Sequence, residues 1–387
     1  MRKKVLFVID SLNCGGAEKS LVSLLSLLDK SKFEIYLWIR SRGGNLESCI
    51  PNHINVLPTP KYNFLERIFL SLSSILFSVV IRINKRLGKK EHGAETLWKY
   101  KGRFMKGVSG TFNVAVAYQQ GIPTYLVPTK IKAKKRIAWV NCDIASVGYS
   151  LSFNKNFYEL YQVIVPVSKE LETILNNYYP QFQHKYKCVY DILNPSLIKL
   201  LASESIQDFK ADHNKTIIVT AGRLAAPKNY TLAVKTAKVL KEQGIHFIWL
   251  FVGEGSERAK LQRLITDYKL EGNVIILGYK ENPYPYMANC DVYVQTSISE
   301  GFGLTIAEAK LLGKPIVSTD FKVVHDQLTH GENGLIASMN PESVASNIHL
   351  MIENEELRNK IVNNLKKENN DTYHKEVIKV ENLLDED

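Results

Sequence analysis

Cysteine is scarce. The 387 residues hold five, Cys14, Cys49, Cys142, Cys188 and Cys290, odd in number and scattered. They form no C-x-x-C pair and have no histidine at metal-ligand spacing, which excludes a disulfide framework or a structural zinc site and fits a reducing cytoplasm. Long apolar runs are lacking as well. The 14 uncharged residues Ile68–Ile81 are too few to span a bilayer. At the N-terminus Arg2-Lys3-Lys4 precedes apolar Val5–Ile9, but Asp10 ends that run after five residues, so it reads as a buried parallel strand and not as a leader. A complete G-x-G-x-x-G with a downstream acid is absent too, and with it the signature of a nicotinamide cofactor.

What remains is the composition of a folded globular protein, with 45% hydrophobic and 23% charged residues. Its length suggests two domains. The net charge of +11 is uneven. Residues 1–130 carry 20 Lys and Arg against 8 acids, and the stretch 82–106 alone carries nine against two. All of the excess therefore lies in the first half, where it could attract nucleic acid, anionic lipid or a phosphorylated substrate, or serve only solubility. Nucleic acid is disfavoured, because the basic region interleaves few aromatics beyond Trp98, Tyr100 and Phe104.

Apolar runs at Val5–Ile9, Phe33–Ile39, 114–118, 136–140 and 163–167 read as strands, the first followed by a Gly15-Gly16 turn and a helix. After Asn194-Pro195 the grammar restarts. Strands are expected at Thr216–Ala221, Phe247–Val252, Val274–Leu277, Asp291–Gln295 and Pro315–Ser318, and helices at Tyr230–Gln243, Glu257–Leu270 and 305–313. Such alternation predicts two doubly wound α/β domains whose strand-end loops face a cleft between them. We place the domains at 1–195 and 196–365, with a helix over 341–365 and a final helical segment over 366–387. Around Ile68–Ile81, Arg67, Ser71, Ser74, Ser78, Arg82 and Lys85 recur at helical spacing and leave a wide apolar surface. That helix either packs inside its own domain or, with the basic residues up to Lys90, lies flat in an anionic membrane surface.

The chemistry-bearing residues cluster on loops. Gly16 opens a helix directly after the first strand, where backbone N–H groups favour an anion. Gly222 and the cations Arg223 and Lys228 lie on the loop after the first strand of the second domain. There the guanidinium fork and the ammonium can converge on a diphosphate. Glu300 and Glu308 flank a glycine turn. Gly301 and Gly303 break the helix between them, so Glu300 belongs to a loop and Glu308 to the second turn of the next helix, with the N–H groups of Leu304 and Thr305 facing a phosphate.

Gly15-Gly16-Ala17-Glu18, Gly222-Arg223-Leu224 with Pro227-Lys228-Asn229, Val252-Gly253-Glu254-Gly255, and Glu300-Gly301-Phe302-Gly303 with Glu308 together resemble glycosyltransferase family 4. The turn Gly331-Glu332-Asn333-Gly334-Leu335 matches the family as well. The resemblance runs along the whole chain and implies a GT-B fold and a retaining enzyme marked by Glu-x7-Glu. It implies that Arg223 and Lys228 hold the donor diphosphate, that Glu300 holds sugar hydroxyls and Glu308 the ribose, and that Gly253, Glu254 and Tyr279 flank the base. It implies no metal or cofactor, and the one Asp-x-Asp, Asp385-Glu386-Asp387, stands at the terminus. Asn141 departs from the pattern, which often has histidine there. An amide can hydrogen-bond a hydroxyl but cannot carry a proton, and Asp143 could take part of that polar role. The implied reaction is hexosyl transfer from a nucleotide diphosphate sugar, UDP-sugar favoured, to a lipid-linked saccharide acceptor in capsule or lipopolysaccharide assembly. The implied place is the cytoplasm or the inner face of the cytoplasmic membrane. A GT-B epimerase or phosphorylase and a catalytically silent partner subunit are the alternatives.

Overall fold

The computed structural model describes residues 2–13, 15–86, 91–210, 212, 214–368 and 371–386. Cys14, Lys89, Lys90 and Asp387, named above, lie outside the described residues. The chain divides into two compact units, Met1–Ile192 with Tyr373–Asp387, and Leu193–Thr372. The sequence alone predicts divisions at 195 and 365.

Unit 1 is built on six parallel strands, β1 (Lys3–Ile9), β2 (Phe33–Ile39), β3 (Asn55–Val56), β4 (Thr111–Ala117), β5 (Lys132–Val140) and β6 (Val163–Pro166). Their order is β3-β2-β1-β4-β5-β6. The last five residues of β1 are buried because helices cover both faces of an all-parallel sheet. The helices of this unit are α1 (Gly16–Leu27), α2 (Phe64–Arg86), α3 (Gly93–Lys101), α4 (Ile122–Lys130), α5 (Leu151–Tyr158) and α6 (Lys169–Tyr178). Ser150 and Ser168 cap the last two through their side chains, as short hydroxyls do at helix starts.

Unit 2 repeats the plan with β7 (Thr216–Ala221), β8 (Phe247–Val252), β9 (Val274–Gly278), β10 (Val292–Gln295), β11 (Ile316–Thr319) and β12 (Leu335–Ala337). The order β12-β11-β10-β7-β8-β9 is the same doubly wound order read from the other edge. Its helices are α7 (Pro195–Ala202), α8 (Tyr230–Glu242), α9 (Arg258–Asp267), α10 (Tyr284–Ala288), α11 (Leu304–Leu311), α12 (Pro341–Glu353) and α13 (Glu355–Lys367). Every residue of β8 is buried, and the Trp249 indole N–H donates to Thr220 Oγ1 at 3.0 Å, so the largest core side chain keeps its polar atom satisfied.

The single helix expected over 341–365 is two. Asn354 ends α12 in an extended conformation, and its side chain accepts from Leu357 N at 2.9 Å, capping α13. The last helix, α14 (Asp371–Asp385), belongs to unit 1 from Tyr373 onward. It buries Val377, Val380, Leu383 and Leu384, while Glu381 accepts from Asp29 N and Lys32 Nζ.

The internal-packing reading of 68–81 is corrected. Only a narrow stripe of α2 is covered, and its other apolar residues are open, with Phe64 77%, Leu65 65% and Ile75 63% exposed. The helix also runs longer than the uncharged stretch, and Phe64–Asn84 is long and apolar enough to cross a membrane by length and composition alone.

Candidate functional site

In an open parallel sheet, ligands sit beyond the strand C-termini where the strand order reverses. In unit 2 that point lies between β7 and β10. The loop after β7 carries Gly222, Arg223 and Lys228, and the loop after β10 carries Glu300. The topology thus brings together two side chains 72 positions apart: Lys228 Nζ donates to Glu300 Oε1 at 2.6 Å. Ser297 Oγ and Gln295 Nε2 donate to the same oxygen at 2.5 and 2.8 Å. Three donors on one oxygen fix the carboxylate and leave Oε2 for a ligand. Behind it, Gln295 Oε1 accepts from the Tyr293 and Thr305 hydroxyls at 2.9 and 3.1 Å, so the amide cannot turn over without losing its partners. Gln295, Ser297 and Tyr293 were missed in the sequence; their signal was a run of polar side chains at the end of an otherwise apolar strand.

Lys228 ends a single 3-10 turn, and Asn229 follows with φ 49°, a left-handed conformation that asparagine tolerates. Arg223 is exposed and unpaired among the described residues, open to a phosphate. The loops after β7 and β8 are stitched together by backbone. Gly222 N donates to Val252 O at 3.0 Å and Leu224 N to Glu254 O at 2.9 Å. Gly253 permits this closeness, since a Cβ there would stand 1.9 Å from Gly222 O. Glu254 is held by Arg258 on its own loop and helix start, and Tyr279 is 40% exposed.

Gly303 adopts φ 86° as the cap of α11, ending the loop that carries Glu300. Leu304 and Thr305 form the first turn. Glu308, one turn on, is fully buried, and its Oε1 accepts from the Tyr284 hydroxyl at 2.9 Å. The two acids therefore occupy different environments, as the glycines between them require. Tyr284, on α10, was not foreseen.

In unit 1 the corresponding point lies between β1 and β4. Gly16 is the first residue of α1, but the Glu18 carboxylate folds over Gly15, so close that a Cβ there would meet Oε2 at 2.1 Å. An acid of the first turn, favoured there by the helix dipole, thus occupies the anion position. Asn141, just past β5, has both amide atoms buried and without a partner among the described residues. Gln119, just past β4, has a buried Oε1 in the same state. Orphaned buried amides are costly unless a ligand satisfies them. Asp143 is engaged locally instead: Oδ1 accepts from Ala145 N, Ser146 N and the Tyr178 hydroxyl. Asp191, beside Ser20 and Glu18, is buried, and burial pushes its carboxyl up to about 7. Among the described residues no three His, Cys, Asp or Glu side chains gather as a metal site.

Comparison with known proteins bears on the fold and on the second unit. Residues 202–368 match the family model of the glycosyl transferases group 1. The chain is 26% identical, over 95% of its length, to the N-acetylgalactosamine-N,N'-diacetylbacillosaminyl-diphospho-undecaprenol 4-alpha-N-acetylgalactosaminyltransferase of Campylobacter jejuni, 94% of which is covered. It is also 26% identical, over 43% of its length, to an uncharacterized glycosyltransferase of Methanocaldococcus jannaschii, and there the match spans 42% of the relative. Among solved structures, HepE of Anabaena in complex with UDP and glucose aligns over 99% of both chains with a TM-score of 0.71 at 17% identity. The chain has the two-domain α/β fold of GT-B glycosyltransferases, and the match to the glycosyl transferases group 1 lies on its second unit.

Proposed function

We propose that the chain is a metal-independent, retaining glycosyltransferase of family 4. It moves a hexosyl unit from a UDP-sugar to a lipid-linked saccharide in surface polysaccharide assembly, at the inner face of the cytoplasmic membrane. The observation that carries this reading is the Lys228–Glu300 pair at the point of strand reversal, with Arg223, unpaired among the described residues, on the same loop as Lys228, and Glu300 on the loop that leads into the N-terminus of α11. The Campylobacter relative, named for a diphospho-undecaprenol acceptor, and the HepE structure with UDP and glucose support the acceptor and donor classes.

Arg223 and Lys228 hold the donor diphosphate. The bond from the anomeric carbon to the β-phosphate oxygen breaks with its electron pair going to the phosphate, and fixed positive charge stabilises that leaving group. The acceptor hydroxyl oxygen forms the new bond on the same face, and its proton passes to the departing phosphate oxygen. Glu300 Oε2 orients sugar hydroxyls, since Oε1 is already committed to three donors. Glu308 takes the ribose once the Tyr284 side chain yields its hydrogen bond.

A panel of nucleotide sugars screened by ligand-observed NMR, followed by UDP release with wild type and Glu300→Gln, tests this. Binding of one UDP-sugar, turnover to a product of unchanged anomeric configuration, and a loss of about 10²-fold or more in Glu300→Gln are expected. Failure of every nucleotide sugar to bind, or an inverted product, overturns it. A changed sugar nucleotide without a new glycoside means an epimerase.

A further inference from the structure

At about 100° per residue, α2 presents three faces. Glu66, Leu70, Ser73, Ser74, Phe77, Val80 and Asn84 line the covered face. Ser71, Ser78, Arg67 and Arg82 form a polar stripe beside it. Leu65, Ile68, Leu72, Ile75, Leu76, Val79 and Ile83 form a third face, apolar and exposed on every residue. A soluble surface rarely leaves so continuous an apolar strip open.

The covered face is tied to unit 1 along its length. Lys106 Nζ donates to Glu66 at 2.6 Å, Phe69 stacks on Phe104 at 5.8 Å, Lys101 Nζ stands 5.3 Å over the Phe77 ring, and Asn84 reaches Glu91 at 3.5 Å. From residue 66 to residue 84 the helix rises about 27 Å, nearly the thickness of a bilayer's hydrocarbon core. Spanning the membrane would strip all of these contacts away, whereas lying in its plane would break none.

Charge on the same side selects the kind of surface. Arg67, Arg82 and Arg86 are exposed along α2. At its first turns a cavity of about 510 Å³ is lined by Glu66, Phe69 and the segment Arg103–Ser109 with Lys130. Its one acid, Glu66, is neutralised by Lys106, which leaves Arg103 and Lys130 in excess. Phe69 is exposed at the border of the apolar face and also lines the cavity, so the cavity adjoins the face that would meet lipid.

We propose that α2 is an in-plane docking helix. Its open apolar face enters an anionic phospholipid bilayer, and the cavity at its start receives a lipid phosphate. This deepens the membrane localisation proposed above and is independent of turnover, because vesicle binding is measured without donor and UDP release separately.

The test is co-sedimentation of the full chain with phosphatidylcholine vesicles, with and without about one-third phosphatidylglycerol. Binding to the anionic vesicles alone, weakened by salt, is expected. Leu72→Asp/Leu76→Asp/Val79→Asp abolishes it while nucleotide-sugar binding and the thermal midpoint persist. Ser71→Asp/Ser78→Asp on the polar stripe retains most of it. Each cation removed weakens partitioning about fivefold, so Arg67→Gln/Arg82→Gln/Arg86→Gln costs on the order of 100-fold and Arg103→Gln/Lys130→Gln about 25-fold. Alkaline carbonate releases the wild type. Retention in carbonate-washed membranes would mean a spanning helix and overturn the proposal. So would equal vesicle binding by the triple aspartate variant, or a wild-type dimer that the same variant dissociates with vesicle binding unchanged.

Discussion

Substituting Gly253 by alanine probes how closely the two glycine loops of unit 2 must approach. The new Cβ would lie 1.9 Å from Gly222 O, where about 3.0 Å is the nearest tolerable approach, so the loops must part by about 1.1 Å or more. Backbone bonds of 2.9–3.0 Å join them, from Gly222 N to Val252 O, Leu224 N to Glu254 O and Glu257 N to Leu224 O. That displacement stretches them past hydrogen-bond length. At about 1 kcal/mol each, the loss is about 2–3 kcal/mol, or roughly 5–10 °C in the thermal midpoint of unit 2. The same displacement moves Arg223, and a catalytic group misplaced by about 1 Å costs on the order of 10²-fold in rate. Thermal unfolding and kcat/KM for UDP release, measured beside Gly272→Ala, decide the matter. Nothing lies within 4 Å of a Cβ at Gly272, and that control should stay within about 0.5 kcal/mol of wild type. A Gly253→Ala protein within threefold of wild-type kcat/KM and with an unmoved midpoint would refute the reasoning.

Lys228→Met, Glu300→Gln and the double variant form a cycle. With side chains 22% and 12% exposed, the pair should couple by about 1–2 kcal/mol in denaturant unfolding, less than a fully buried pair, and strict additivity would show that it is incidental. Tyr284→Phe leaves the buried Glu308 without its phenol donor. It should cost about 1–3 kcal/mol of stability, checked by urea unfolding, with an unchanged midpoint counting against the assignment. The Asp191 carboxyl, raised from 3.8 to about 7 by burial, contributes stability present below about pH 4 and lost as pH rises to about 7. Asp191→Asn should therefore gain thermal stability over wild type progressively between pH 4 and 7 and hold that gain above; an advantage equal at pH 4.5 and 8 would contradict it.

The parallel sheets were legible because buried strands such as Phe247–Val252 read as unbroken apolar runs, and a polar or glycine turn closes each one. The placement of Lys228 and Glu300 on one edge followed from strand order. Their mutual bond did not, because no local pattern encodes contact across 72 residues. The break at Asn354 was visible as a capping asparagine followed by Glu355 and Glu356, but the apolar period ran across it unbroken. The exposure of α2 was not legible, since periodicity shows that a face is apolar and not what covers it. Tyr284 gave no signal, because an aromatic in a short helix reads as core until a buried acid is found beside it.

The return of α14 to unit 1 makes the second unit an insertion in the first. The chain leaves unit 1 at Ile192 and re-enters it at Tyr373, and Val380 and Leu384 are fully buried once it does. On a ribosome adding about 5–20 residues per second, the intervening 193–372 take about 10–40 s to emerge. Throughout that time the nascent first unit exposes the groove its final helix will fill. The half of the protein synthesised first is thus the half completed last.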